Sequence, residues 1–335
     1  MKRWDVKQLV LTAGASVLVW AVLALACLMV GSTGPIGFPT DVQLRSRLPI
    51  VLIASLVGAA LGSAGVVYQA ILQNPLADPY LLGTSSGASL GAYLWRFAAP
   101  STAITGMFLG ISQQSFAFAG AIVAVAIVFT LAGARGRLEP LTLLLVGVIV
   151  NAVCGSIYLL LNEINRDLPG SGGSLQFLVG GIQTSLDTSQ QVAATVCIAV
   201  GWIILMALAG ELNVAVLSES EAMSLGVRIQ RLRWIGLIIA SLVTASAVAV
   251  SGPIGFVGLV CPHLGRLFVG RDQRRLLPVA TALGAGLLAV ADAASRKLAG
   301  QNAINTQLPV GVLTGLLGGP FFLLLLWQSR RRSIA

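Results

Sequence analysis

What this sequence has least of is charge. Asp, Glu, Lys and Arg together make up 10 % of 335 residues, against about 25 % in a water-soluble domain, so no ordinary hydrated surface can be assembled from it. Acidic residues number 12. Ion-coupled secondary transport, which usually displays intramembrane carboxylates, is left with Asp292, four residues before Arg296 in the order that favours a helical ion pair. Histidine occurs once, as His263 beside Pro262. A metal site needs several clustered ligands, so none is expected, and His263 reads as structural or conformational. The lysines are Lys2, Lys7 and Lys297, none within a GxxxxGK[ST] loop, which excludes a phosphate-cradling ATPase. Cys27, Cys154, Cys197 and Cys261 stand singly in apolar runs without a CxxC, as small buried residues rather than a disulfide framework. No catalytic residue set emerges.

What is present is hydrophobic length. Apolar residues make up 56 % of the chain and the mean hydropathy is +0.89. A helix needs about 20 apolar residues to cross about 30 Å of hydrocarbon. Such stretches recur at 9–31, 48–73, 79–98, 115–133, 140–162, 191–210, 232–251, 254–270, 276–299 and 309–327. The expectation is an all-α integral membrane protein of about ten transmembrane helices, a single transmembrane domain over 1–335 with no globular domain left over. The first run, 9–31, follows Lys2, Arg3 and Lys7 as a signal peptide would. It exceeds the roughly 7–15 residues of a signal core and reads as a retained first helix. With the N-terminus inside, fifteen of the 21 Lys and Arg fall on the cytoplasmic side; Arg45, Arg47, Arg96, Arg166, Arg296 and Lys297 fall outside. The positive-inside rule therefore gives N-in, C-in. The net charge of +9 is explained by these helix ends rather than by a nucleic-acid surface.

The spans are punctuated. Asp78-Pro79 reads as an N-cap followed by the imino acid favoured at the first helical position, and Glu139-Pro140 repeats the device. Gly58, Gly62 and Gly65, then Gly83, Gly87 and Gly91, form small-residue faces for close helix packing. Ile53-Ala-Ser-Leu-Val57 recurs as Ile239-Ala-Ser-Leu-Val243, with Gly65 then aligning with Gly252 and Pro75 with Pro262. The two spans run in opposite directions, as an inverted repeat demands.

The most informative loop is cytoplasmic, from 211 to 233. Within it Ser218-Glu-Ser-Glu-Ala-Met-Ser-Leu-Gly-Val227 reads as a short capped helix ending at Gly226, followed by the basic stretch Arg228 to Arg233. From the residues alone it is either a segment that plugs into a soluble partner or a solvated connector. Gly83-Thr-Ser85-Ser-Gly87 matches GxSxG, which raises an intramembrane serine protease as a rival. The strand-to-helix context that the motif requires is absent.

Several longer motifs occur in order: Arg47-Leu-Pro49, Asn74-Pro-Leu-Ala-Asp-Pro79 with Leu82-Gly-Thr-Ser-Ser-Gly-Ala88, Glu221-Ala222 with Leu225-Gly226, Gly252-Pro-Ile-Gly-Phe-Val-Gly-Leu259 with Pro262-His263, and Leu308-Pro-Val-Gly311 with Gly319-Pro-Phe-Phe322. From about Arg47 to Leu326 they closely resemble the FecCD-type permeases of ABC importers for iron–siderophore, haem and cobalamin. The resemblance implies a type II importer permease of the bacterial inner membrane, working by alternating access. It implies a second permease subunit, expected as a homodimer. Two cytoplasmic ATPase subunits would carry the ATP and Mg, and a periplasmic or extracellular binding protein would deliver cargo. It implies that this chain itself binds no cofactor. It assigns ATPase coupling to Ser218, Glu219, Glu221, Ala222, Leu225, Gly226 and Arg228, and binding-protein docking to Arg47 and Arg296, whose planar fork suits a carboxylate. The fifth and tenth spans would line the pathway, with Asn151 and Ser156 the polar residues to watch; interhelical hydrogen bonding is the alternative for both. The expected cargo is an iron chelate, with haem or cobalamin as alternatives and molybdate as a further one.

Overall fold

The computed structural model describes residues 6–31, 37–98, 112–133, 136–165, 179–183, 186–216, 219–224, 226–301 and 308–334. The described residues are helical with irregular connections. In chain order the helices are α1 (Val6–Leu28), α2 (Asp41–Ile71), α3 (Thr84–Ala98), α4 (Gln113–Ala132), α5 (Pro140–Ile164), α6 (Thr188–Ala215), α7 (Glu219–Ser224), α8 (Ile229–Ser251), α9 (Val257–Val269), α10 (Gln273–Gln301) and α11 (Val310–Ile334). Each of the ten expected spans contains one long helix, and α7 is the short helix of the 211–233 loop. Among the described residues, seven helices are long and apolar enough to cross a membrane: α1, α2, α4, α5, α6, α8 and α10. Of the other three expected spans, α3 has 15 residues and α9 has 13, and the apolar part of α11 covers Val310–Leu323.

Three expectations need correction. The first helix ends at Leu28 rather than Gly31. The second begins at Asp41, seven residues early, because Thr40 and Gln43 close a capping box ahead of the apolar run; Pro49 is accommodated inside. The third span is not one helix. Asp78-Pro79 opens a 3₁₀ turn over Pro79–Leu82, and Gly83 at φ +86° ends it before α3 begins. The capping chemistry was read correctly, with the Asp78 carboxylate accepting from Tyr80 N–H at 2.9 Å, but it serves a single turn.

α2, α8 and α10 form the buried centre. Tyr68 of α2, fully buried, meets Ser241 of α8 through a 2.7 Å hydroxyl contact. Several helix contacts recur between the two halves. α2 lies on α10 as α8 lies on α4; α3 packs on α4 and α5 as α9 packs on α10 and α11; α4 meets α5 as α10 meets α11; and α2 meets α9 as α8 meets α3. The pentapeptide match is a different matter. Ile53 lies eighteen residues before the end of α2 at Ile71, and Ile239 only twelve before the end of α8 at Ser251. An apolar alphabet produced that coincidence out of register. The glycine faces behave as expected: a Cβ on Gly58 would fall onto the backbone of Gly284, and one on Gly87 onto Gly120 and Ala124. The GxSxG glycines are therefore packing residues.

Candidate coupling segment and pathway helices

The 211–233 segment is built on two roots. One is the end of α6. Ala215 C=O accepts from Gln73 Nε2 at 2.9 Å, and Asn213 donates to Asp272 at 2.9 Å and accepts Gln273 N–H at 2.8 Å. These bonds fasten α6 to the end of α2 and the start of α10. The other root is the first turn of α8. Between them lies α7, anchored by the fully buried Ala222, with Glu221 and Ser224 exposed. Gly226 sits at φ +76° with open space around it. Val227 N–H reaches back to Ala222 C=O at 3.1 Å, the long-reach bond by which a left-handed residue closes a helix C-terminus. Any other residue would strain that backbone, so the glycine is required by conformation. Arg228 and Arg231 are exposed. Ser218 and Leu225 lie outside the described residues, and of Glu219 only the backbone is described.

Deeper in, the two helix breaks meet. The Tyr80 hydroxyl accepts Ile254 N–H at 2.9 Å and donates to Ile254 C=O at 3.2 Å. The Phe256 N–H also points at the Asp78 carboxylate. Asp78 loses hydration there, and its carboxyl is raised to about 6, against the smaller opposing effect of the Tyr80 and Phe256 N–H groups. Gln69 Nε2 lies between the breaks, 3.4 Å from Ala77 C=O and 3.3 Å from Leu259 C=O. Phe256 is held at φ +69°, unusual for a non-glycine residue, and its ring fills the space beside Gly318 of α11.

The candidate pathway residues separate. Asn151 donates to Tyr80 C=O at 2.8 Å and accepts from Ser86 Oγ at 2.6 Å, tying α5 to the first break. Ser156, five residues on, sits about 140° round the helix and is exposed. The outer-face arginines, by contrast, are brought together. Arg47 Nη1 donates to Leu28 C=O at 2.9 Å, and Arg296 Nη1 to Val30 C=O at 3.3 Å, so both grip the turn that ends α1. Arg296 also pairs with Asp292 at 2.9 Å, with side-chain exposures of 13 and 6 %. His263 stacks edge-on against Phe321 with ring centres 6.0 Å apart. Among the described residues no three His, Cys, Asp or Glu gather as metal ligands would.

With this geometry in place, the relatives are informative. The sequence profile of the FecCD transport family matches residues 19–328. The chain belongs to the FecCD transport family. An ABC transporter permease protein of Bacillus subtilis, itself uncharacterized, is 40 % identical over 90 % of this chain and 82 % of its own length. The cobalamin import permease of Halobacterium salinarum is 38 % identical over 89 % of this chain and 77 % of its own. Other relatives are named for hemin, ferric dicitrate and molybdate transport. A solved chain from a metal-chelate type ABC transporter in an inward-facing conformation superposes with a TM-score of 0.78 at 29 % identity, covering 94 % of this chain and 98 % of that one. This FecCD chain is thus a multi-pass membrane permease of the ABC importer class.

Sequence reasoning missed Tyr80, Gln230 and Arg233. Tyr80 directly follows the Asp78-Pro79 punctuation, which was the available signal. Gln230 and Arg233 were read only as part of a basic stretch.

Proposed function

We propose that this permease moves an iron chelate across the bacterial inner membrane by alternating access, driven by two separate cytoplasmic ATPase subunits that carry ATP and Mg. The observation that carries the reading is the α7 segment: a short helix, closed by a left-handed glycine, presenting Glu221, Ser224 and Arg228 between two anchored roots. Such a rigid, capped protrusion suits a cleft on a soluble partner. Ser218, Glu219, Ala222 and Leu225 complete that docking element. A second copy of the chain would cover α5 and α11, whose Leu141, Leu145, Ile149, Leu316, Leu317 and Leu323 are exposed. A binding protein would dock on the opposite face through Arg47 and Arg296.

The choice of an iron chelate is supported by the metal-chelate description of the superposing chain. The cobalamin and hemin relatives, at 38 and 39 % identity, favour those cargoes as the second reading. Mass spectrometry of what accompanies the permease from its native membrane in mild detergent tests the assembly. A stoichiometric chain with a nucleotide-binding loop supports it, and recovery of the permease alone under crosslinking overturns it. Uptake of radiolabelled ferric siderophore, hemin and cobalamin by cells making the complex then decides the cargo. Arg47→Glu should weaken binding-protein affinity by about three- to tenfold, most visibly at low salt. Unchanged affinity would leave Arg47 as a tether for α1.

A further inference from the structure

The first turn of α8 grips the peptide that leads into α5. Gln230 Oε1 accepts Leu138 N–H at 2.9 Å, and Arg233 Nη1 donates to Leu138 C=O at 3.1 Å. The two side chains lie three residues apart, on one face of the helix, and together they satisfy both polar groups of a single fully buried residue. Trp234 on the same turn stacks on Phe129 with ring centres 5.5 Å apart, and its ring lies against Gly133, where a Cβ would collide with it. The connection from α4 to α5 is thus held by α8 at Gly133 and at Leu138.

Arg233 is an expensive residue for that place. It is 8 % exposed, and its Nε is buried without a hydrogen-bond partner. Burying a guanidinium costs several kcal/mol unless it is well paired, and an aliphatic side chain could fill the volume. What the cation adds is a strong, directional bond to one carbonyl. Leu138 is two residues from Pro140, whose ring fixes φ at the first position of α5. Little rotational slack separates the gripped peptide from the helix axis.

The other root of the same segment is fastened elsewhere, through Gln73 and Asn213 to α2 and α10. The segment around α7 therefore bridges the buried centre on one side and α5 on the other. We propose that Gln230 and Arg233 are positioning residues for transport, holding the Leu138 peptide so that displacement of the α7 segment reaches α5 as a change in its tilt. This rests on α7 being the ATPase docking element.

The test uses the assembled complex, with its ATPases and binding protein, in proteoliposomes. Gln230→Ala and Arg233→Met should still hydrolyse ATP, while cargo moved per ATP falls at least about fivefold, in the range of ordinary coupling energies. Spin labels at Ile164, the exposed far end of α5, and at exposed Glu211 of α6 should change separation on ATP binding in the unmodified complex and hold it in the variants. Arg233→Lys, which keeps one charged donor, should recover part of the ratio. A merely structural role would lower yield and thermal stability but leave cargo per ATP unchanged in what survives. If Arg233→Met does not assemble, Gln230→Ala decides alone. Wild-type stoichiometry in the variants, or an undiminished label movement, overturns the clamp. Failure of any ATPase to bind the unmodified permease overturns the docking reading itself, and the clamp with it.

Discussion

The two helix breaks occupy corresponding places in the two halves, yet they are stabilised in different ways. The first, from Asn74 to Gly83, is capped mainly from within, with Asn151 of α5 added at Tyr80 C=O. Asn74 Oδ1 accepts Leu76 N–H at 3.0 Å, Asp78 caps Tyr80, Thr84 Oγ1 donates to Pro79 C=O at 3.2 Å, and a glycine takes the left-handed position. The second, from Gly252 to Phe256, borrows. Its Ile254 backbone is satisfied by the Tyr80 hydroxyl of the first break, and a phenylalanine rather than a glycine stands at positive φ. Buried irregular backbone is tolerated only where protein supplies the missing hydrogen bonds. One half of the molecule thus depends on the other for its fold, and α5 and α11 are both attached to the shared knot, through Asn151 and through the Phe256 ring against Gly318.

The largest expected effect comes from removing the lender. Tyr80→Phe keeps the ring but leaves both Ile254 groups without the hydroxyl, at a cost of about 2–4 kcal/mol for two buried backbone groups. Denaturation in mixed micelles would measure it, and proteolysis should show the second break opening while the first stays protected. Equal loosening of both breaks would contradict the one-way dependence. A smaller effect is expected within the first break. Gly83→Ala forces a Cβ into the left-handed region, worth about 1–2 kcal/mol, and places it 3.2 Å from Val150 and 3.4 Å from Ala124. The shift in denaturation midpoint should be roughly half that of Tyr80→Phe; a larger one would mean that the first break is the more fragile.

The contrast also marks what could be read from sequence. Helix number and order were legible because a 20-residue apolar run is a long signal. Gly226 was legible because it ends a short polar helix in plain view. The Asp292–Arg296 pair was legible as a four-residue spacing. Arg47 and Arg296 converging on the end of α1 was not, because their acceptors are backbone carbonyls, which carry no residue code. Tyr80 meeting Ile254 spans 174 positions and pairs a side chain with main chain from one half to the other. Asn151 was seen as polar in an apolar helix, but which way it faced depended on packing. The same holds for Gln230 and Arg233, whose target is the peptide of an unremarkable leucine.

The smallest effect is a slope rather than a step. Asp78 touches both breaks, and its carboxyl titrates at about 6 in the fold against an ordinary 3.8. The folded state therefore holds a proton more tightly than the unfolded chain. Linkage then makes stability greatest below about pH 4, falling as pH rises through the window to about 6 and level above it. Allowing for the partial exposure of the side chain, the total change should be about 1 kcal/mol. Asp78→Asn keeps an oxygen for Tyr80 N–H but cannot ionise, so its melting temperature should lose that component of the pH dependence between 4 and 6. The comparison is sharpened by where the change registers. If the second break leans on Asp78 as it does on Tyr80, hydrogen exchange around Phe256 should quicken as pH rises through 6, beyond the intrinsic pH dependence of amide exchange, with Leu76 and Leu81 changing less. Exchange that quickens at Leu76 and Leu81 but not around Phe256 would show the carboxylate to be a local cap of its own turn, leaving the second half to depend on Tyr80 and Gln69.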